Sequence, residues 1–89
     1  KEHDLVQMAY DTVRKRVATA LVKLYETYNT ENQTNFSITI SRDELAGIVG
    51  TATESIIRIL SEFKSDGWVY VRGSLVEILD VEALRNYRF

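Results

Sequence analysis

Between positions 4 and 28 apolar residues recur at three- and four-residue steps: Val6, Tyr10, Val13, Val17, Leu21, Leu24 and Tyr28. They form one stripe of an amphipathic helix. Asp11, Arg14, Lys15, Lys23 and Glu26 fall mostly off that stripe. A second apolar set, Leu5, Met8 and Ala9, occurs only at the start. A helix apolar on two sides is usually covered on two sides, so an upstream segment or a second copy of the chain is the expected cover. Asp11 with Thr12 can also cap a fresh helix, which would put a joint between Tyr10 and Asp11. One continuous helix is the equal alternative.

Residues 29–35, NTENQTN, are polar and carry no period, so they read as a loop. In 36–40 apolar and polar residues alternate, which predicts a short strand with Phe36, Ile38 and Ile40 facing a core. Two helix-start signals follow, ten residues apart: Ser41 with Glu44 and Thr51 with Glu54. Each matches the capping box, in which a hydroxyl and a carboxylate satisfy orphan N–H groups reciprocally. A turn at Val49 and Gly50 separates the two helices, the second spanning about 52–66. Asp66 and Gly67 end that second helix. Two β-rich runs, 68–71 and 75–79, flank Arg72, Gly73 and Ser74 as a hairpin. Asp80 caps a last short helix, VEALRNY. The expected fold is mainly α with a small antiparallel β-wing: a winged helix-turn-helix.

The second capped helix has two faces. Ile56, Ile59, Leu60 and Phe63 share one side at i, i+3, i+4 and i+7 spacing and are expected in the core. Thr53, Glu54, Ile57, Arg58 and Ser61 share the other side. In a helix-turn-helix that polar face is presented to a partner, usually the major groove of DNA, and enters by its N-terminal turns.

Composition qualifies this picture. A chain of 89 residues is one domain at most, and one of this size buries roughly 60–65% of its unfolded surface. Its 45% hydrophobic and 27% charged content is ordinary for a globular domain. The formal net charge of −2 argues against nucleic acid, because DNA affinity draws on Lys and Arg neutralising phosphates. The local field decides, however. Arg42, Arg58, Lys64 and Arg72 all fall in the reading half, while Glu2, Asp4, Glu26, Glu31, Asp80 and Glu82 lie near the ends or in a loop. With no Cys there is no disulfide or thiolate metal site, which fits a reducing cytoplasm. The one His, His3, makes no credible metal site alone. No apolar run approaches the length of a membrane span, and no signal peptide is visible. No nucleophile triad, phosphate loop or carboxylate pair suggests an enzyme. The chain begins with Lys rather than Met, as a fragment would.

The segments ITISRDELAGIVGTATESIIRIL and EFKSDGWVYVRGSLVEILDVEAL, with YDTVRKRVATAL leading into them, resemble the C-terminal DNA-binding domain of the Crp–Fnr superfamily of bacterial transcription regulators. The resemblance covers roughly residues 8–87. It implies an upstream sensor domain, commonly of cyclic-nucleotide-binding type, joined by a long dimer helix. On that pattern residues 1–10 are the end of the upstream dimer or linker helix, and residues 11–89 are the winged helix-turn-helix. The joint near Tyr10 and Asp11 would be a hinge. No cofactor is implied for this piece; an effector such as a cyclic nucleotide would bind upstream. The implied partners are double-stranded DNA at a palindromic operator, a second copy as homodimer, and RNA polymerase at the 29–35 loop.

Base-reading residues are expected at Thr53, Glu54, Ile57 and Arg58. The Arg58 fork can donate to guanine O6 and N7, Glu54 can accept from cytosine N4, and Ile57 can touch a thymine methyl. The resemblance implies that a Glu and an Arg at these two positions read a G·C-containing half-site. Thr53 departs from members that carry a second Arg there. Structural roles compete with these. Glu54 belongs to a capping box and stands four residues before Arg58, the favoured spacing for an intrahelical ion pair. Ile57 also reads as a scattered surface residue. Phosphate contacts are expected from Ser41, Arg42, Thr51, Ser55 and the wing residue Arg72. For Ser41 and Thr51 simple capping is the competing role, and for Arg72 a solvated turn. The rivals to DNA reading are a winged helix that binds protein, favoured by the sequence pI of about 5.3, and a dimerisation module built on residues 1–28.

Overall fold

A computed structural model describes the backbone of residues 2–29 and 36–87, with side chains from Ala9 onward. Leu5 and Met8 of the early apolar set, and nearly all of the 29–35 loop, lie outside the described side chains and residues. Helix α1 (Glu2–Tyr28) is followed by strand β1 (Phe36–Thr39) and helices α2 (Arg42–Val49) and α3 (Thr53–Ser65). Strands β2 (Val69–Arg72) and β3 (Leu75–Ile78) and helix α4 (Val81–Arg85) complete the chain. The order matches expectation. Of the two readings of the first helix, the continuous one holds: α1 runs unbroken through Tyr10 and Asp11.

The wing is broader than a hairpin. β1 pairs antiparallel with β3, giving a three-stranded sheet in the order β1-β3-β2. Phe36 and Val69 both stand opposite Ile78, and all three are buried, so one face of the sheet closes on the helices. Ile40 extends the tie by donating its N–H to the Ser74 carbonyl at 2.8 Å.

The core joins Val17, Ala18 and Leu21 of α1, Leu45, Ala46 and Val49 of α2, and Ile56, Ile59, Leu60 and Phe63 of α3 to the sheet. The α3 stripe is the one its spacing predicted. The α1 stripe departs at its end. Tyr25 packs edge-on to Phe36, ring centroids 5.6 Å apart, while Tyr28 is 61% exposed. The position of Phe36 decides which aromatic of that last turn is covered.

The two capping boxes divide. Ser41 forms the box in full: its Oγ accepts from the Glu44 N–H at 3.0 Å, and Glu44 Oε1 accepts from the Ser41 N–H at 2.9 Å. Thr51 with Glu54 does not form one. The N-cap of α3 is Ala52, with no side-chain cap bond. The Thr51 N–H is already committed to the Ala46 carbonyl, 3.0 Å away, in the turn that closes α2 over Gly50. Gly50 has φ +81°, a left-handed conformation that a residue with Cβ adopts at a cost. Thr51 is therefore held in the turn, and α3 starts one residue later than its box suggested. A different bond secures its first turn: Thr53 Oγ1 donates to Asp43 Oδ1 of α2 at 2.7 Å.

α3 ends in a Schellman motif. Trp68 N–H bonds the Phe63 carbonyl and Gly67 N–H bonds the Lys64 carbonyl, both at 3.0 Å, with Gly67 at φ +79°. The accompanying apolar contact is Phe63 on Trp68, ring centroids 5.2 Å apart. Trp68 thus plugs the base of the wing, with Tyr87 across it at 6.0 Å. Asp80 caps α4 through the Ala83 N–H, as its position suggested.

The two boxes separate in a stability measurement. Ser41→Ala should cost about 1 kcal/mol in urea denaturation, the usual loss of a working N-cap. Thr51→Ala should stay within about 0.5 kcal/mol, as surface changes do. Equal losses would contradict the assigned caps.

Candidate nucleic-acid interface

The side of α3 opposite the core is open. Glu54, Ile57, Arg58 and Ser61 are all exposed, Ile57 at 53%, and among the described residues nothing buries them. Thr53 and Ser55 are half-buried on its flanks. This is the division of an amphipathic surface helix, and it leaves the polar face accessible to a partner.

The cationic residues of the reading half, Arg42, Arg58, Lys64 and Arg72, divide between the two flanks of α3. On the wing flank, Arg42, Ile57, Leu60, Ser61, Lys64 and Val71 line a shallow groove. Arg42 Nη1 donates to the Gly73 carbonyl, tying the start of α2 to the wing turn. Lys64 Nζ lies 5.4 Å from the Tyr70 ring centroid. Arg72 is exposed beside the wing turn. This flank carries three cations, one of them engaged in holding the wing.

Arg58 faces the α1 flank. Its guanidinium carbon lies 4.8 Å from the Tyr10 ring centroid, and its Nε is 3.6 Å from Glu62 Oε2. The intrahelical pair weighed between Glu54 and Arg58 is not the one that forms. Arg58 pairs one turn onward with Glu62, and Glu54 stands exposed without an ion pair among the described residues. Tyr10 Oη donates to Glu62 Oε2 at 2.9 Å. Arg14 Nε faces Glu62 Oε1 at 3.4 Å, and the Arg14 guanidinium lies 5.6 Å from the Phe63 ring and 5.3 Å from the Tyr87 ring. Glu62 was missed in the sequence, although its spacing from Arg58 repeats that of Glu54. Tyr10 and Arg14 could not have been found, because their contacts cross about fifty positions.

The polar candidates are partly occupied by structural work. Ser41 serves in its capping box, and the Thr53 hydroxyl proton points to Asp43. Thr51 and Ser55 are half-buried at the turn and in the first turn of α3. Among the described residues no group of His, Cys, Asp and Glu could hold a metal ion, and no helix is long and apolar enough to cross a membrane.

Two phenols are perturbed. Burial raises the Tyr10 pKa above 10.0, reinforced by the hydrogen bond to Glu62 and its charge; Arg58 and Arg14 oppose. Burial also raises that of Tyr87, with Arg14 opposing. A group whose folded pKa lies above its unfolded value contributes stability fully below the unfolded pKa and loses it as pH rises through the folded one. Stability should therefore hold up to about pH 10 and fall above it. Spectroscopic titration should show Tyr10 and Tyr87 ionising above the ordinary tyrosine value. Glu62→Gln should move Tyr10 back toward ordinary behaviour.

The architecture and its open helix face define a winged helix-turn-helix. The Crp-like helix-turn-helix domain family matches residues 15–87, and the chain belongs to it. It is 29% identical over 84 residues to a CRP-like cAMP-activated global transcriptional regulator of Mycobacterium tuberculosis, covering 92% of this chain and 38% of that protein. It is 28% identical over 78 residues to the transcriptional activator protein Anr of Pseudomonas aeruginosa, covering 85% of this chain and 32% of that one. The crystal structure of the Thermus thermophilus catabolite activator protein superposes with a TM-score of 0.83 at 27% identity, over 94% of this chain and 37% of that one. The chain thus spans about a third of the length of these relatives, all of them regulators of the CRP/FNR kind.

Proposed function

We propose that this chain is the sequence-specific DNA-binding output domain of a Crp–Fnr-type transcription regulator acting in the cytoplasm. One observation carries the reading. The face of α3 that bears Glu54, Ile57 and Arg58 is bare, while the other face supplies the core. α3 enters the major groove by its first turns, where Thr53, Glu54, Ile57 and Arg58 meet base edges. Ser55, Arg72, Ser41 at the N-terminus of α2 and Thr51 in the turn before α3 meet phosphates. Arg42 contributes its charge from the wing groove while holding the wing turn.

Residues 1–10 serve as the end of a dimer helix and residues 11–89 as the reading domain. Two copies then address a palindromic site with half-sites about 34–36 Å apart. An upstream domain takes the effector, and the 29–35 loop offers a surface to RNA polymerase. The domain has no catalytic role. Its net charge of −2 keeps non-specific affinity low, so discrimination rests on base contacts.

Selection of bound sequences from random DNA, with the regulator in full, should return a palindrome with a specified G·C pair. Recovery of no preferred sequence would refute the reading. Arg58→Ala should cost roughly 1–3 kcal/mol and relax base choice at one position. Arg72→Ala should weaken all sequences alike and lower the salt slope by about one. Competition titrations at several salt concentrations separate the two effects.

A further inference from the structure

The α1 flank of α3 holds a cluster that a bare reading helix does not require. Arg58 is 71% exposed along its side chain, yet its guanidinium is turned onto the Tyr10 ring and toward Glu62. Both attractions draw it along α3 toward the helix's second half and sideways to α1. Base reading uses the opposite end, the N-terminal turns.

The cluster is also anchored more firmly than an ordinary surface pair. Glu62 is only 34% exposed, accepts one hydrogen bond, from the Tyr10 hydroxyl at 2.9 Å, and has the charges of Arg14 at 3.4 Å and Arg58 at 3.6 Å beside it without hydrogen bonds to its Oε1. Arg14 in turn lies against the rings of Phe63 and Tyr87, which belong to the core. The carboxylate is thereby oriented by the body of the domain, and the Tyr10 ring adds a cation–π surface beside it. A solvated ion pair between two long side chains lacks such an anchor.

We propose that Tyr10 and Glu62 are specificity-determining positioning residues that dock the Arg58 guanidinium against α1, so that Arg58 must leave this dock to read its base. The inference rests on the reading of Arg58 as a base contact. Glu62 and Arg58 ride on the same helix, but Tyr10 belongs to α1. The strength of the dock therefore depends on where the Tyr10 turn of α1 sits against α3. Displacing that turn frees Arg58, and restoring it withdraws Arg58. Discrimination at one base pair is in this way coupled to the placement of the first helix, with no movement of α3 itself.

The test compares the selected site with a site changed at the base pair that Arg58→Ala identifies. Tyr10→Ala and Glu62→Gln should each raise discrimination between the two roughly two- to fivefold, the scale of an exposed cation–π contact or a partly screened ion pair. Tyr10→Phe keeps the ring but not the bond to Glu62 and should fall between these and the original chain. With Arg58 already replaced by Ala, Tyr10→Ala should leave discrimination unchanged. A merely structural role for Tyr10 would weaken both sites alike and would persist without Arg58. Lower or unaltered discrimination in Tyr10→Ala and Glu62→Gln would overturn the dock while leaving Arg58 as a reader. If Arg58→Ala relaxes no position, the reading of Arg58 falls, and the inference with it. A readout without DNA checks the geometry: the Arg58 Nε–H resonance should be displaced by the Tyr10 ring current and return in Tyr10→Ala. Absence of that displacement in the original chain also overturns the dock.

Discussion

The structure depends on the burial of one side of α3. Ile56, Ile59, Leu60 and Phe63 are at most 2% exposed, and each such side chain contributes roughly 1.5–3 kcal/mol relative to exposure. Phe63 does the most. It packs on Trp68 at the wing base, on Tyr87 beyond α4 and beneath the Arg14 guanidinium. Because the helix is gripped along this line, its opposite face is held at a fixed angle to both the wing and α1. A reading surface has to be rigid in that sense, since a helix free to roll would present a different set of side chains with each degree of rotation.

The flanks are then set by what stands beside the gripped helix. The wing flank is closed by the three-stranded sheet, whose turn is tied to Arg42 through the Gly73 carbonyl. The α1 flank is closed by Tyr10 and Arg14, which meet Glu62 and draw Arg58 toward them. The cations of a domain with an acidic total are thereby distributed to both edges of the exposed face. A net charge of −2 thus coexists with cations on both edges of one face.

Helix ends show where sequence patterns mislead. The two capping boxes are alike in spelling, and only the first forms. The difference is a competing bond: the turn after α2 claims the Thr51 N–H for the Ala46 carbonyl, and residue 51 cannot serve both ends. Arg58 makes the same point for side chains. Glu54 and Glu62 are equally spaced from it, but Glu62 is fixed by Tyr10 and Arg14 while Glu54 is solvated. Spacing offered two partners, and tertiary anchoring chose one.

The element order, the winged helix-turn-helix class, the buried face of α3, the Ser41 box and the Asp80 cap were all legible in the chain. Each arises from interactions among residues a few positions apart, which period and capping chemistry report directly. The resemblance of residues 8–87 to the Crp–Fnr DNA-binding domain was carried instead by the wording of its motifs, from ITISRDELAGIVG to EILDVEAL. Other features were decided only by the folded molecule: β1 joining β3, Tyr25 rather than Tyr28 lying against Phe36, the division of the cations between two flanks, and the meeting of Tyr10, Arg14, Arg58 and Glu62. These join residues far apart in the chain, and a one-dimensional pattern carries no record of which distant side chain arrives to compete for a charge, a ring face or an N–H.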